Sequence, residues 1–211
     1  MTNLLTLFFC SFHALTHARS YEATRDLNTK DIEVRTPVAV AKGQKLSSKV
    51  ALVPILRSGL GMVESMQNLL PFAFVHHLGM YRTKQSMVPV LYYDNIPRHS
   101  NADVTIILEP VIATSKTIKA AISILKSSKF GDKIKIVSLI ASREGLEEVT
   151  AAHPDVEVYC AAVDENLKGG FISPGLGDVG DRLFGTGVTP KEGDGEDAAG
   201  DATENRKRPR Q

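Results

Sequence analysis

Two stretches and one arginine carry the residues whose types and spacing suit chemistry. Glu109-Pro110-Val111-Ile112-Ala113-Thr114-Ser115-Lys116-Thr117 follows the apolar run Val104 to Leu108 and precedes a helical pattern. A strand ending in a short loop and a helix start presents free backbone N–H groups and the positive end of a helix dipole, which together suit a phosphate. Thr114, Ser115 and Thr117 add hydroxyl donors, and Lys116 offers a cation. The same residues also read as an ordinary helix start with Thr114 or Ser115 as its N-cap. Arg57 lies in Ile55-Leu56-Arg57-Ser58-Gly59, between a buried-strand candidate and a glycine turn. A guanidinium placed there can grip a pyrophosphate through paired hydrogen bonds, although a lone arginine is more often a solvated charge. The run from Gly175 to Gly185 holds Asp178 and Asp181 among glycines and does not continue a helix or a strand comfortably. Such a segment lets backbone approach a ligand and sets carboxylates beside it; a surface turn, with Asp181 and Arg182 paired to each other, is the plainer alternative.

The elements that must position these residues alternate. Val50 to Leu56 reads as a buried strand, and Gly61 to Leu70 as a helix with Met62, Val63, Met66, Leu69 and Leu70 at helical spacing. Phe72 to Leu78 and Val104 to Leu108 are further strand candidates, the latter apolar on both faces. A helix over Thr117 to Lys129, a strand over Lys135 to Ala141, a helix over Glu144 to Ala152 and a strand over Val156 to Ala162 complete the series. This repetition predicts an α/β fold, a mainly parallel sheet flanked by helices, with ligands bound beyond the C-terminal strand ends. Met80 to Ile96 is polar and Tyr-rich and is interrupted by Pro89, which predicts an extended arm or flap.

The 211 residues suffice for one substantial domain, and a net charge of +1 excludes bulk nucleic-acid binding. Cys10 and Cys160 form no disulfide framework and fit a reduced, cytoplasmic setting. Leu4 to Cys10 is apolar but too short to span a bilayer, and it lacks the flanks of a secretory signal. Residues 1–20 read as a separate helical segment and residues 21–189 as the working domain. Residues 190–211, rich in Gly, Asp, Glu and Ala before the basic Arg206 to Arg210, read as a disordered charged tail. His76, His77 and His153 share no metal-ligand spacing and read as structural.

In order along the chain, Tyr21-Glu22-Ala23-Thr24-Arg25-Asp26-Leu27, Val53 to Met62, Gly79-Met80-Tyr81-Arg82, Tyr92-Tyr93, His153-Pro154-Asp155-Val156 and Gly175 to Gly185 resemble the uracil phosphoribosyltransferase family. The resemblance covers roughly Tyr21 to Thr186. It implies a type I phosphoribosyltransferase fold with a small C-terminal hood and a flap. It also implies conversion of uracil and phosphoribosyl pyrophosphate to uridine monophosphate and pyrophosphate. Arg57 and Arg82 then face the pyrophosphate, and Glu109 to Thr117 wrap the ribose and its 5′-phosphate. Asp178 takes the phosphoribosyl pyrophosphate side through Mg²⁺, and Ile172, Gly177, Asp178 and Val179 read uracil largely through backbone groups. Arg57 and Asp178 are the catalytic candidates. A homodimer and a response to guanosine triphosphate are further implications of the family.

The chain departs from the pattern at the phosphate loop, which in the family reads Asp-Pro-Met-Leu-Ala-Thr-Gly-Gly-Ser. Glu109 replaces the Asp, Ser115-Lys116 the Gly-Gly, and Thr117 the Ser. Side chains at 115 and 116 meet a penalty wherever the backbone needs a positive φ. Against the family's usual longer helical segment, the N-terminus looks abbreviated or divergent. A non-catalytic binding or regulatory subunit with a degraded loop is the rival expectation.

Overall fold

The computed structural model describes residues 2–82, 88–97, 101–131 and 133–186. Helix α1 (Thr2–Thr24) leads into a two-stranded arm, β1 (Thr29–Arg35) with β2 (Val40–Leu46). Then follow β3 (Val50–Leu56), α2 (Leu60–Leu69), β4 (Phe74–Val75), β5 (Leu78–Arg82), β6 (Pro89–Asp94), β7 (Val104–Leu108) and β8 (Val111–Ile112). The chain continues through α3 (Lys116–Ser127), β9 (Lys133–Ser142), α4 (Arg143–Ala152), β10 (Glu157–Asp164), β11 (Asn166–Lys168), β12 (Phe171–Ser173) and α5 (Val179–Phe184). The main sheet is ordered β10-β9-β7-β3-β5-β6, with β4 beside β3 and β8 beside β9. Its pairings are parallel except for β5 with β6.

The apolar runs expected to be covered on both faces are so covered. On one face of the sheet, Ala51, Val53, Ile55, Ile107 and Ile136 pack with Ile118, Ile122 and Leu125 of α3 and Val149 of α4. On the other, Val50, Leu52, Ile106, Leu108, Val137 and Leu139 pack with Phe12 of α1, Met62 and Met66 of α2, and Val179 of α5. Strand alternation thus feeds two cores, as a parallel sheet requires.

Four elements differ from the sequence reading. The strand expected over Phe72 to Leu78 is two strands, β4 and β5. His76 and His77 lie in the break, where the His77 amide donates to Asn95 Oδ1 at 2.7 Å and the His76 ring meets Phe130 edge-on at 5.1 Å. The Gly175 to Gly185 run contains a helix: Asp178 caps α5 by accepting the Asp181 amide at 2.9 Å, and Gly185 ends it at φ 62°. A short helix between a capping aspartate and a left-handed glycine escapes any periodicity test. Helix α1 runs through the boundary drawn at residue 20. The arm over residues 29–46 has no counterpart in the sequence reading. The flap region forms the antiparallel β5–β6 pair. The charged tail expected at 190–211 lies outside the described residues. No helix among the described residues is long and apolar enough to cross a membrane.

A charged network ties the end of α1 to the sheet. Lys135 Nζ, fully buried, donates to the Ala23 carbonyl at 2.7 Å and to Asp26. Lys133 Nζ reaches Asp26 at 2.8 Å and Glu157 at 2.6 Å, and the other Glu157 oxygen accepts the Tyr159 hydroxyl at 2.8 Å. The hydrogen bonds from Lys133 and then Lys135 hold the Asp26 carboxyl at about 2. A depressed carboxyl stabilises the fold above its unfolded value near 3.8, and that stability is lost as pH falls toward 2. Asp26→Ala leaves the Lys135 ammonium short of its nearest counter-charge, and we expect a loss on the order of 3 kcal/mol. Lys135→Met, which removes the buried charge itself, should cost less than half of that. Urea unfolding of both variants at pH 7 checks the order, and at pH 2.5 the Asp26→Ala difference should have fallen to about a third.

Candidate active site

The C-terminal ends of β3, β5 and β7 meet at one cavity. The turn after β3 presses on the end of β7: a Cβ on Gly59 would stand 2.3 Å from the Leu108 carbonyl oxygen. Only glycine allows that approach, and it sets Arg57 and Ser58 beside Glu109. Ser58 Oγ donates to Glu109 Oε1 at 3.3 Å. The Leu56–Arg57 peptide is cis.

Arg57 is held at the rim by the C-terminal segment. Its Nη2 donates to Asp181 Oδ1 at 3.0 Å and its Nη1 to Thr186 Oγ1 at 3.0 Å, while Thr186 Oγ1 donates to the same Asp181 oxygen at 2.6 Å. The Asp181–Arg182 pairing considered from sequence is replaced by this arrangement. Arg182 Nε instead donates to the Leu176 carbonyl at 2.5 Å, with its guanidinium over the Phe8 ring. The reason is reach: Asp181 on the first turn of α5 faces the β3 loop, and Arg182 faces back along its own loop. A Cβ on Gly180 would meet Asp178 Oδ1 at 3.2 Å and Arg57 Nη2 at 3.5 Å, so glycine leaves the carboxylate and guanidinium room side by side.

The resulting cavity, of about 490 Å³, brings together Arg57, Arg82, Glu109, Val111, Ala113, Thr117, Ile172, Gly177, Asp178 and Val179. Five residues of the phosphate-loop reading do not line it. Pro110 turns its carbonyl to the Leu139 and Ile140 amides at 3.0 and 3.1 Å, and Ile112 is buried in the core. Thr114, Ser115 and Lys116 lie behind the wall. Ser115 is buried at φ 56°, whereas Lys116 is exposed in the first turn of α3. Arg82 Nε donates to Thr117 Oγ1 at 3.1 Å, tying the end of β5 to the start of α3.

Sequence reasoning missed part of the wall. Gly169, Gly170 and Phe171 come from the β11–β12 hairpin; a Gly-Gly pair between two short apolar-containing runs was the available signal. Tyr81 and Tyr92 stand with ring centroids 6.1 Å apart, and a Cβ on Gly79 would collide with the Tyr92 ring at 2.6 Å. Their juxtaposition depends on the bulge between Gly79 and Met80, which no local pattern announces.

A mainly parallel α/β sheet with two arginines, Arg57 and Arg82, in a cavity at its strand ends is a fold that phosphoribosyltransferases share. A hypoxanthine phosphoribosyltransferase from Staphylococcus aureus shares the fold, at TM-score 0.50 and 11% identity, over 76% of this chain and 77% of that one. The sequence matches the uracil phosphoribosyltransferase family over residues 8–186, and the chain belongs to that family. It is 44% identical to the uracil phosphoribosyltransferase of Ureaplasma parvum serovar 3 over 88% of this chain and 90% of that one. To that of Dictyoglomus turgidum it is 49% identical over 79% of this chain and 81% of the relative. The AQ2163 protein from Aquifex aeolicus superposes with TM-score 0.79 at 34% identity, over 88% of this chain and 89% of that one.

Burial pushes the Glu109 carboxyl up to about 7, against the opposing Ser58 hydrogen bond and the Arg82 charge. The unfolded group ionises near 4.5, so between 4.5 and 7 the folded state binds the extra proton and stability falls as pH rises. That displacement corresponds to about 3 kcal/mol. Glu109→Gln removes it. Guanidinium unfolding across pH 5 to 8 should show the variant gaining on wild type as pH rises, up to about 3 kcal/mol at pH 8. Parallel stability profiles would show that Glu109 is solvated.

Proposed function

We propose that this chain transfers the phosphoribosyl group of phosphoribosyl pyrophosphate to uracil, releasing pyrophosphate and forming uridine monophosphate. The observation that carries the reading is the single cavity in which Arg57, Arg82, Glu109 and Asp178 face the wall formed by Ile172 and Gly177 to Val179.

In the reaction the anomeric bond to pyrophosphate breaks, a uracil nitrogen bonds to that carbon, and the nitrogen gives up its proton. The carbon passes through an oxocarbenium-like state, so positioning and charge neutralisation do most of the work. Arg57, already oriented by Asp181 and Thr186, needs little reordering to meet the departing charge. Arg82, fastened to Thr117, faces it from the β5 side. Glu109 suits ribose hydroxyls. Backbone donors and acceptors around Ile172 and Gly177 to Val179 suit the alternating edge of uracil.

For Mg²⁺ the donor set fits. Asp178 and Glu109 supply hard oxygens to the cavity, and among the described residues no group of three acidic, histidine or cysteine side chains forms a protein cage. Magnesium is commonly held by one or two carboxylates and the phosphates it accompanies. Bound there, it would neutralise pyrophosphate charge. We also place the protein in the cytoplasm, on its two free cysteines. For a guanosine triphosphate effector, the support is the family resemblance.

We further propose a homodimer, supported by the arm. In the β1–β2 register, Ile32 faces Gly43 and Val34 faces Ala41 on one side, while Asp31 and Glu33 face Gln44 and Lys42 on the other. A lone two-stranded hairpin with an apolar side is marginal in water, and a second copy would cover that side. Ile32→Asp with Val34→Asp should shift the protein toward monomer in sedimentation equilibrium; an unchanged mass would remove the arm from the interface.

The activity is tested by following uridine monophosphate from labelled uracil with Mg²⁺. Cytosine presents a donor where uracil presents an acceptor, so its kcat/KM should be on the order of 10⁴-fold lower. Comparable turnover of both bases, or no product from either, would overturn the reading.

A further inference from the structure

Ser115 sits in the phosphate loop with φ 56° and ψ −17°, a region that favours glycine. Its hydroxyl makes no capping bond to α3. It turns away from the cavity and donates to Glu148 Oε2 on α4. The same carboxylate oxygen accepts from Lys119 Nζ at 2.5 Å, and the Lys119 amide donates to the Ser115 carbonyl at 2.9 Å. Ser115 is 2% exposed and Glu148 43%. Two residues earlier, Ser142 Oγ donates to the Ala113 carbonyl at 2.6 Å. A Cβ on Gly145 would stand 2.3 Å from that carbonyl oxygen. The back of the loop is thus fastened to α4 on both sides of Thr114.

We propose that Glu148 is a positioning residue, whose hold on the Ser115 hydroxyl keeps a non-glycine residue in the left-handed conformation that sets Thr117 in the cavity wall. Glu148 lines no part of the cavity and acts only through the loop. Without the tether, Ser115 has every reason to relax to negative φ, because αL costs a residue with a Cβ. Relaxation would swing the start of α3 and loosen Thr117 from Arg82, to which it is bonded at 3.1 Å. Glycine at 115 would hold the same conformation with no tether.

The inference rests on the donor-binding reading above for its kinetic consequence, and on the loop alone for its conformational one. Four proteins separate the cases: wild type, Glu148→Ala, Ser115→Gly and the double variant. Glu148 is on the surface, so its truncation should leave the fold intact. In Glu148→Ala the KM for phosphoribosyl pyrophosphate should rise about tenfold, the order of a released αL residue, with kcat changed far less. Ser115→Gly should resemble wild type, and the double variant should recover most of the lost affinity. A merely structural α3–α4 contact would lower stability, leave the donor KM unmoved and show no rescue by glycine. An unchanged KM in Glu148→Ala, or a double variant as weak as Glu148→Ala, would overturn the proposal. If wild type fails to bind the donor, the activity reading is at fault. The tether is then decided by amide hydrogen exchange at Ser115 to Thr117 in ligand-free protein. Exchange should accelerate in Glu148→Ala and not in the double variant; equal exchange in all four would overturn it.

Discussion

The carbonyl of Leu108 occupies the space that a side chain on residue 59 would need, with only 2.3 Å to an added Cβ. The rest of the site depends on that approach. β3 and β7 are neighbours in the sheet, so their C-terminal loops leave it side by side. They converge on one cavity only because the first loop carries no Cβ at its point of closest contact. Arg57 and Ser58 then meet Glu109, and the C-terminal segment closes over them through Asp181 and Thr186. A bulkier residue at 59 would lever the loop that carries Arg57 away from the one that carries Glu109.

Charge is distributed with the same economy. Arg57 and Asp181 remain about half and one-third exposed, so their pair orients more than it stabilises. Glu109 is the reverse: buried, with a carboxyl at about 7, it resists ionisation until cations come near.

The sheet was legible because β3, β7 and β9 are long apolar runs between helical patterns, and burial on both faces leaves that trace in any sequence. Arg57, Glu109 and Thr117 were legible because their motifs sit at strand ends, whereas Arg82, Ile172 and Asp178 were reached through the family resemblance. The illegible parts share one property: distant backbone geometry decides them. The Tyr81–Tyr92 contact needs a bulge, the hood needs a three-residue hairpin, and the positive φ falls on Ser115 but not on Lys116. The Ser115–Glu148 contact spans 33 positions and joins residues unremarkable in themselves.

Helix α1 shows how a segment can pack well and still give a poor amphipathic signal. Among its residues from Leu7 onward, the buried positions are Phe12, Thr16, Ser20 and Ala23, a narrow stripe with two hydroxyls in it. Thr16 donates to the Phe12 carbonyl at 2.8 Å, Ser20 to Thr16 at 2.6 Å and Thr24 to Ser20 at 2.9 Å. Each hydroxyl is satisfied one turn back along its own helix, so small polar side chains enter the interface without an unpaired group. They let α1 lie close to α2 and β9, and the chain end is then locked where Lys135 reaches the Ala23 carbonyl and Asp26. Helix α1 therefore does not need a broad apolar face. One aromatic, a ridge of self-bonded hydroxyls and a buried ammonium at its end hold the helix against the sheet, and hold Phe8 beneath the Arg182 guanidinium that braces the hood.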